Sequence, residues 1–542
     1  MRVKTPHKMD ADELRRIESL AQMPKRPSIN DAAEYARSSG ATLIGSTPLA
    51  SPGPNKSGNS SDSNEDGSEP QVKLLKRATE EDVYELRSKV RVKKRYQEDG
   101  VPKSNLSDVR FKDAQSLLDG EESAQNPFRG FYVLFWLGVA VRSLNSIVNY
   151  YLEYGFSSQI VEILARDLIW IGLTDLAMYL CTYFVFAVHY LVKRGVISWD
   201  KSGWIFVSLF ELWFVMFFMA YAQSKNYPWV GKIFLFLHSL VLLMKMHSYA
   251  FYNGYLWNIH YELTFSENAL KKNTFEPHVE ELLQKSIKFC KFEISSQSKS
   301  TEFPRNITLK NFFTYTMFPT VVYQIDYPRT ERVRFRYLTS KICAVFGVIM
   351  LMVVLAQHSM YPIAMRAIAL RELPLLERVW YYPKLLLDLV PPFLLMYILV
   401  FYLIWDAILN AIAELTCFGD REFYGPWWNC VSWDEFARLW NVPVHKFLLR
   451  HVYHSSISAF NCSKGTATVL TFLISSIVHE LSMYVLFNKL RGYLLLLQMF
   501  QLPLAALSKT KWMREKKTLG NVIFWFGIAT GPSLMCTLYL TF

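Results

Sequence analysis

The stretch TFLISSIVHELSMYVLF, residues 471–487, is apolar enough for a bilayer yet carries His479 and Glu480 side by side. The apolar run opens near Thr466, and His479 follows 13 residues later. At about 1.5 Å per residue that is about 20 Å into the run, at or beyond the middle of a hydrocarbon layer roughly 30 Å thick. A charged side chain facing lipid there costs at least about 2.5–3.5 kcal/mol, so His479 must face the interior of a bundle. An uncharged imidazole in a dry site is a proton acceptor usable near neutral pH. Ser475 lies one turn below it on the same face. Glu480 points about 100° further round the helix, which suits an anchor to a neighbouring span better than a group that touches substrate. The pair does not belong to an H-E-x-x-H metal motif, because the second His would fall on Met483. The plain alternative is a histidine that only hydrogen-bonds a neighbouring helix.

A second concentration of chemistry precedes that run. FYGPWWNCVSWDEFARLWNVPVHKFLLRHVYH, residues 423–454, holds four Trp, two Asn and three His. An interfacial aromatic belt accounts for Trp427, Trp428 and Trp433. It does not account for RLWNVPVHK, where Arg438, Asn441, His445 and Lys446 bring cations, an amide and an imidazole together. His451 and His454, at i, i+3 spacing, suit either a metal or interfacial hydrogen bonds. The seven cysteines are scattered with no C-x-x-C pair, which argues against a zinc site or a disulfide framework. A covalent route through Cys430 or Cys462 lacks an evident base beside either thiol.

The elements that must position these residues are membrane spans. Of 542 residues 51% are apolar, gathered into runs of the length that crosses a bilayer. The expected fold is all-α and polytopic, with about nine transmembrane helices over 131–151, 168–192, 203–223, 230–252, 341–361, 384–416, 466–487, 491–508 and 520–541. Residues 1–125 form a polar tail, expected to be cytosolic and largely disordered, above all over 51–70, with a short helix over 79–97; it is either regulatory or a solvated leader. Residues 126–542 form the membrane domain. The N-terminus lacks the apolar segment of a cleaved signal peptide. Net charge is +12, but the basic residues sit between apolar runs, as cytosolic loops require, and no stacking-plus-basic module for nucleic acid is present. With the tail cytosolic, loops 193–202, 253–340, 417–465 and 509–519 share its side. Loop 362–383 is the exception, facing the lumen with Arg366, Arg371 and Arg378. Within 253–340, residues 276–294 read as an amphipathic helix and 311–338 as an aromatic interfacial segment. There is no dinucleotide fingerprint and no P-loop; NCSKGTAT lacks the glycine spacing.

These segments, in this order, resemble the membrane-bound O-acyltransferases, in their sterol O-acyltransferase branch. FYGPWWN resembles that branch's F-Y-x-D-W-W-N signature through Phe423, Tyr424, Trp427, Trp428 and Asn429, and WNVPVHK and SSIVHE resemble its catalytic Asn and His segments. YQIDYPRTERVRFRYL resembles its Tyr-Pro-Arg-Thr segment. The likeness covers roughly residues 125–542, and fungal acyl-CoA:sterol acyltransferases share the long polar tail.

The resemblance implies nine spans around a buried chamber, in an endoplasmic-reticulum enzyme that is a homodimer or a dimer of dimers. It implies His479 and Asn441 as catalytic residues and Arg438, His445, Tyr453, Lys464 and Ser475 as contacts to acyl-CoA, a substrate rather than a cofactor; no cofactor or metal is implied. A long-chain acyl group such as oleoyl would pass from coenzyme A to a membrane sterol, giving a sterol ester for storage in lipid droplets, with ergosterol the fungal sterol. Diacylglycerol is the alternative acceptor. A proton-coupled transporter using His479 and Glu480 is the alternative from another class. One position departs: Pro426 stands where the signature has Asp, and nearby Asp420 is a candidate to take over that role.

Overall fold

A computed structural model of the chain describes residues 95–97, 100–120, 123, 125–155, 158–272, 277–460 and 462–542. The disorder expected over 51–70 lies outside these residues, as does the helix expected over 79–97 except for 95–97. Among the described residues the chain is helical, with only isolated bridges of β pairing.

The crossings follow from apolar runs closed by caps and polar loops. They use α1 (Arg129–Tyr154), α2 (Leu168–Cys181) with α3 (Tyr183–Lys193), α4 (Trp204–Ser224), α5 (Trp229–Lys272) and, after two shorter helices, α6 (Pro277–Ser296) and α7 (Leu309–Met317), α8 (Phe335–Leu355) and α9 (Leu375–Phe401). Beyond a polar loop with α10 (Trp433–Leu439) and α11 (Val442–Phe447) come α12 (Lys464–Phe487), α13 (Tyr493–Met499), α14 (Gln501–Ser508) and α15 (Lys517–Thr541). Among the described residues, eight helical stretches are long and apolar enough to cross a membrane, and each overlaps an expected span. The expected crossing at 491–508 differs. Its apolar helix, Tyr493–Ser508, spans about 24 Å at 1.5 Å per residue, short of a full hydrocarbon layer. It also breaks at Phe500, where α13 gives way to α14; Pro503 has no N–H to offer Met499, so the ladder cannot run through.

The connection between the fourth and fifth crossings is more ordered than a loop. α5 continues through residue 272 instead of ending near 252. α6 occupies the expected amphipathic segment and buries Val279, Leu283, Ser286, Phe289, Cys290, Glu293 and Ile294, mostly three or four residues apart, against α5. Much of the aromatic content of residues 311–323 is turned into the protein. Phe312, Tyr315, Phe318 and Tyr323 are buried, and Lys245 of α5 points its ammonium at the carbonyls of Thr316 (2.9 Å) and Phe318 (2.6 Å) at the end of α7. A cation at a helix C-terminus meets carbonyls that have no helical partner.

The basic residues of loop 362–383 have internal duties. Arg366 pairs with Asp388 at 3.1 Å, Arg371 donates to the carbonyls of Leu540 (2.6 Å) and Tyr539 (3.1 Å), and Arg378 donates to Leu373 (2.9 Å). All three guanidinium groups are thus engaged within the protein.

Residues 104–119 form a strap on the polar loops. Ala114 donates to the carbonyl of Gly419 (3.1 Å) and accepts from Arg421 (2.9 Å). Ser116 meets the Tyr424 hydroxyl at 3.3 Å, and Asp119 pairs with Lys341 at 3.0 Å.

Candidate functional site

α12 starts cleanly because the Ser463 hydroxyl accepts from the Thr466 N–H at 3.1 Å. It stops at Asn488, whose left-handed backbone (φ 53°) suits a C-cap. Between these ends two neighbouring stripes run along the helix. Ser476, Glu480 and Met483 are buried. Ser475, His479 and Ser482 keep accessible surface. His479 is exposed by area yet lies deep within the protein mass. A ring with both properties sits in a recess rather than on a convex surface.

Its tautomer follows from its partner. Nδ1 lies 2.8 Å from the carbonyl oxygen of Ser475. A carbonyl only accepts, so Nδ1 carries the hydrogen and the neutral ring presents Nε2 as a lone pair. Nε2 takes no hydrogen bond among the described residues.

Glu480 is an anchor, as its position round the helix implied. Its carboxylate accepts from the backbone N–H groups of Gly492 (2.6 Å), Leu494 (3.0 Å), Leu495 (3.1 Å) and Arg491 (3.2 Å), and from the Tyr539 hydroxyl. These are the orphan donors at the start of α13, where Gly492 takes a positive φ of 77°. One carboxylate thus ties α12 to α13 and α15, one residue from His479.

Asn441 caps α11. Its Oδ1 accepts from the Val444 N–H at 3.2 Å, and Pro443 occupies the first turn. Capping uses the oxygen and leaves the amide Nδ2 as a donor without a partner among the described residues. Two backbone bonds fasten this turn to the signature: Val442 to the carbonyl of Phe423 (3.1 Å) and Gly425 to that of Leu439 (2.8 Å). The second brings the chains so close that a Cβ at Gly425 would sit 2.7 Å from the Leu439 side chain.

The signature is scaffold, and the belt reading of its tryptophans is corrected. Phe423, Tyr424 and Trp427 are buried. Trp427 packs against Phe401, Trp440 and Trp525 with ring centroids 5.1, 4.8 and 5.7 Å away. The Trp428 carbonyl accepts from Asn521 (3.1 Å) and Trp525 (3.0 Å), and Asn429 is exposed. Pro426 is exposed. Asp420 is buried and binds Lys446 (3.2 Å) and the Lys112 N–H (3.3 Å), with no hydrogen bond to residues 425–429.

The expected coenzyme contacts fall on three helices, α10, α11 and α12, and on a turn between α11 and α12. Arg438 is exposed and paired with Asp434 at 3.2 Å. His445 is half-buried, and burial together with the charges of Arg438 and Lys446 holds its imidazole below its ordinary value. Arg438 and His445 therefore share one positive field. Tyr453 lies on a π turn, Leu448–His454, that packs against α12. Lys464 is exposed at the first turn of α12, and Ser475 is half-buried one turn before His479. No hydrogen bond joins Asn441 to His479. The metal alternative for His451 and His454 loses its ground, because His451 bonds Ser248 (2.8 Å) and His454 bonds Asp108 (2.7 Å). Burial pushes the Cys430 thiol up to about 12, so it is no thiolate nucleophile at neutral pH.

A buried polar cluster escaped the reading of the sequence. Asp406, 1% exposed, accepts from Lys341 (2.7 Å) and from the Tyr424 hydroxyl (2.8 Å). An acid within the apolar run 384–416 was the available signal, since such groups in spans are paired or functional.

The model of the membrane-bound O-acyltransferase family matches residues 146–541. Sterol O-acyltransferase 2 of Saccharomyces cerevisiae is 55% identical over 428 residues, 77% of this chain and 67% of that protein. Sterol O-acyltransferase 2 of Candida albicans is 47% identical over 483 residues, covering 81% and 79%. Diacylglycerol O-acyltransferase 1 of Dictyostelium discoideum is 34% identical over 250 residues, covering 46% and 39%.

Proposed function

Because this chain belongs to the membrane-bound O-acyltransferase family, we propose that it transfers a long-chain acyl group from acyl-CoA to the hydroxyl of a membrane sterol. Relatives named for that activity match along more than three quarters of the chain. The observation that carries the mechanism is the Nδ1–H of His479 bound to the Ser475 carbonyl, which turns a free Nε2 lone pair toward the open stripe of α12.

In the proposed reaction His479 Nε2 accepts the sterol hydroxyl proton while that oxygen attacks the thioester carbonyl. General-base assistance of this kind contributes about 10²–10⁴-fold. The Asn441 amide donates to the developing oxyanion, and losing one such donor costs about 10²–10³-fold. The C–S bond then breaks, and the coenzyme thiolate leaves with the proton from the imidazolium. Arg438, His445 and Lys464 hold the coenzyme's phosphates, with Tyr453 and Ser475 along the path of the acyl chain. The enzyme acts in the endoplasmic-reticulum membrane as a homodimer or a dimer of dimers, with its polar tail (residues 1–125) and coenzyme loops facing the cytosol.

Diacylglycerol is the second acceptor considered, supported by the Dictyostelium relative over less than half of the chain. Purified protein given labelled oleoyl-CoA with ergosterol or diacylglycerol separates the two. The expected product is sterol ester. Triacylglycerol without sterol ester would overturn the sterol assignment.

A further inference from the structure

Residues 104–119 precede the segment matched by the family model, yet they grip the turn that bears the proposed coenzyme contacts. The π turn Leu448–His454 lies between Asn441 and α12. Winding of this kind is rare and occurs frequently at functional sites. Asp108 braces it from the strap. One carboxylate oxygen accepts from Arg450 through Nη2 (3.3 Å) and Nε (3.4 Å), and the other from His454 Nδ1 (2.7 Å). Arg450 is buried and donates further to the strap carbonyls of Leu106 (3.1 Å) and Val109 (3.1 Å). Three residues on, Phe111 lies beneath the Lys446 ammonium, 5.1 Å from ring centroid to nitrogen. The strap therefore holds both ends of the stretch from Lys446 to His454, which carries Tyr453 and adjoins His445.

We infer that Asp108 is a positioning residue for acyl-CoA, setting the π turn through Arg450 and His454 so that Tyr453 and His445 meet the coenzyme. The inference rests on the acyl-CoA reading of those residues but not on the identity of the acceptor. Asp108 touches no proposed substrate position, so its effect belongs to donor binding and not to the chemical step. Removing its charge frees the turn to lose its winding, and the loss appears as a higher KM for acyl-CoA with kcat at saturating donor little changed.

The test uses full-length purified protein carrying Asp108→Asn, Asp108→Glu or Asp119→Asn. Asp119 fastens the other end of the strap to Lys341 and controls for general loosening. The expected result for Asp108→Asn is an acyl-CoA KM raised about tenfold, an unchanged acceptor KM, and a parallel loss in coenzyme A affinity by titration calorimetry. Asp108→Glu recovers most of the loss, and Asp119→Asn leaves the acyl-CoA KM within about twofold. Unchanged coenzyme affinity in folded Asp108→Asn overturns the inference, and so does an equal loss in Asp119→Asn. If Asp108→Asn does not fold, Phe111→Leu carries the test, with a two- to threefold rise in acyl-CoA KM expected as an order-of-magnitude figure and no change contradicting it. Coenzyme affinity is read without an acceptor, so failure of sterol esterification by the wild type bears on the sterol reading alone.

Discussion

Replacing Glu480 by Gln separates an anchor from a catalytic acid. The carboxylate accepts four backbone N–H groups and one hydroxyl. Gln keeps one oxygen, enough for Gly492, Arg491 and Tyr539, and turns an NH2 toward the N–H groups of Leu494 and Leu495. Two part-buried donors are then left facing a donor. Each stranded group costs about 1–3 kcal/mol, so the variant should be destabilised by about 2–6 kcal/mol. The loss falls on the contact between α12 and α13, one residue from the proposed base. Thermal unfolding in detergent should show a clearly lower Tm, and activity at a temperature where the variant is still folded should fall modestly. The pH–rate profile should keep its shape, because Glu480 exchanges no proton with substrate. An unchanged Tm with turnover abolished, or a shifted pH profile, would refute the anchoring role.

Asn441→Asp keeps the oxygen that caps α11 and removes the amide donor, so stability should hold while kcat falls about 10²–10³-fold; a stable variant with near-normal kcat would deny the donor role. Asp420→Ala leaves Lys446 without the partner it meets at 3.2 Å and should lower both Tm and activity. Pro426→Asp, at an exposed site, should shift stability by no more than about 0.5 kcal/mol; no effect from either substitution would remove the idea that Asp420 compensates for the missing signature acid. His445 sits below its ordinary value in the free protein through burial and the charges of Arg438 and Lys446. A bound phosphate raises it again, and a group whose pKa rises on binding takes up a proton. Coenzyme affinity should therefore increase as pH falls through the imidazole's titration range, an effect that His445→Gln should abolish; a pH-independent affinity would contradict phosphate contact at His445.

The sequence and the structure agree where one residue type has one physical solution. Apolar runs of bilayer length become helices, and among the described residues eight are long and apolar enough to cross. Glu480, on another face of α12 from His479, had to find donors, and it does. Disagreement arises where partners lie far apart in sequence. Trp427 reads as an interfacial residue until Phe401 and Trp525 close over it. The aromatic segment 311–338 reads as membrane-surface material until Lys245, some 70 residues away, caps its helix. Residues 104–119 carry no local sign of order, because what orders them is Gly419, Lys341 and Arg450. The lack of a carboxylate at Pro426 is legible in the sequence; the commitment of Asp420 to Lys446 is legible only in space.

The proton-accepting role of His479 is tested most directly by single turnover. Purified His479→Ala is loaded with labelled oleoyl-CoA, mixed with sterol, and followed for ester. Acyl-CoA should still bind, and ester formation should slow by about 10²–10⁴-fold. Ester appearing at the wild-type rate would contradict the account.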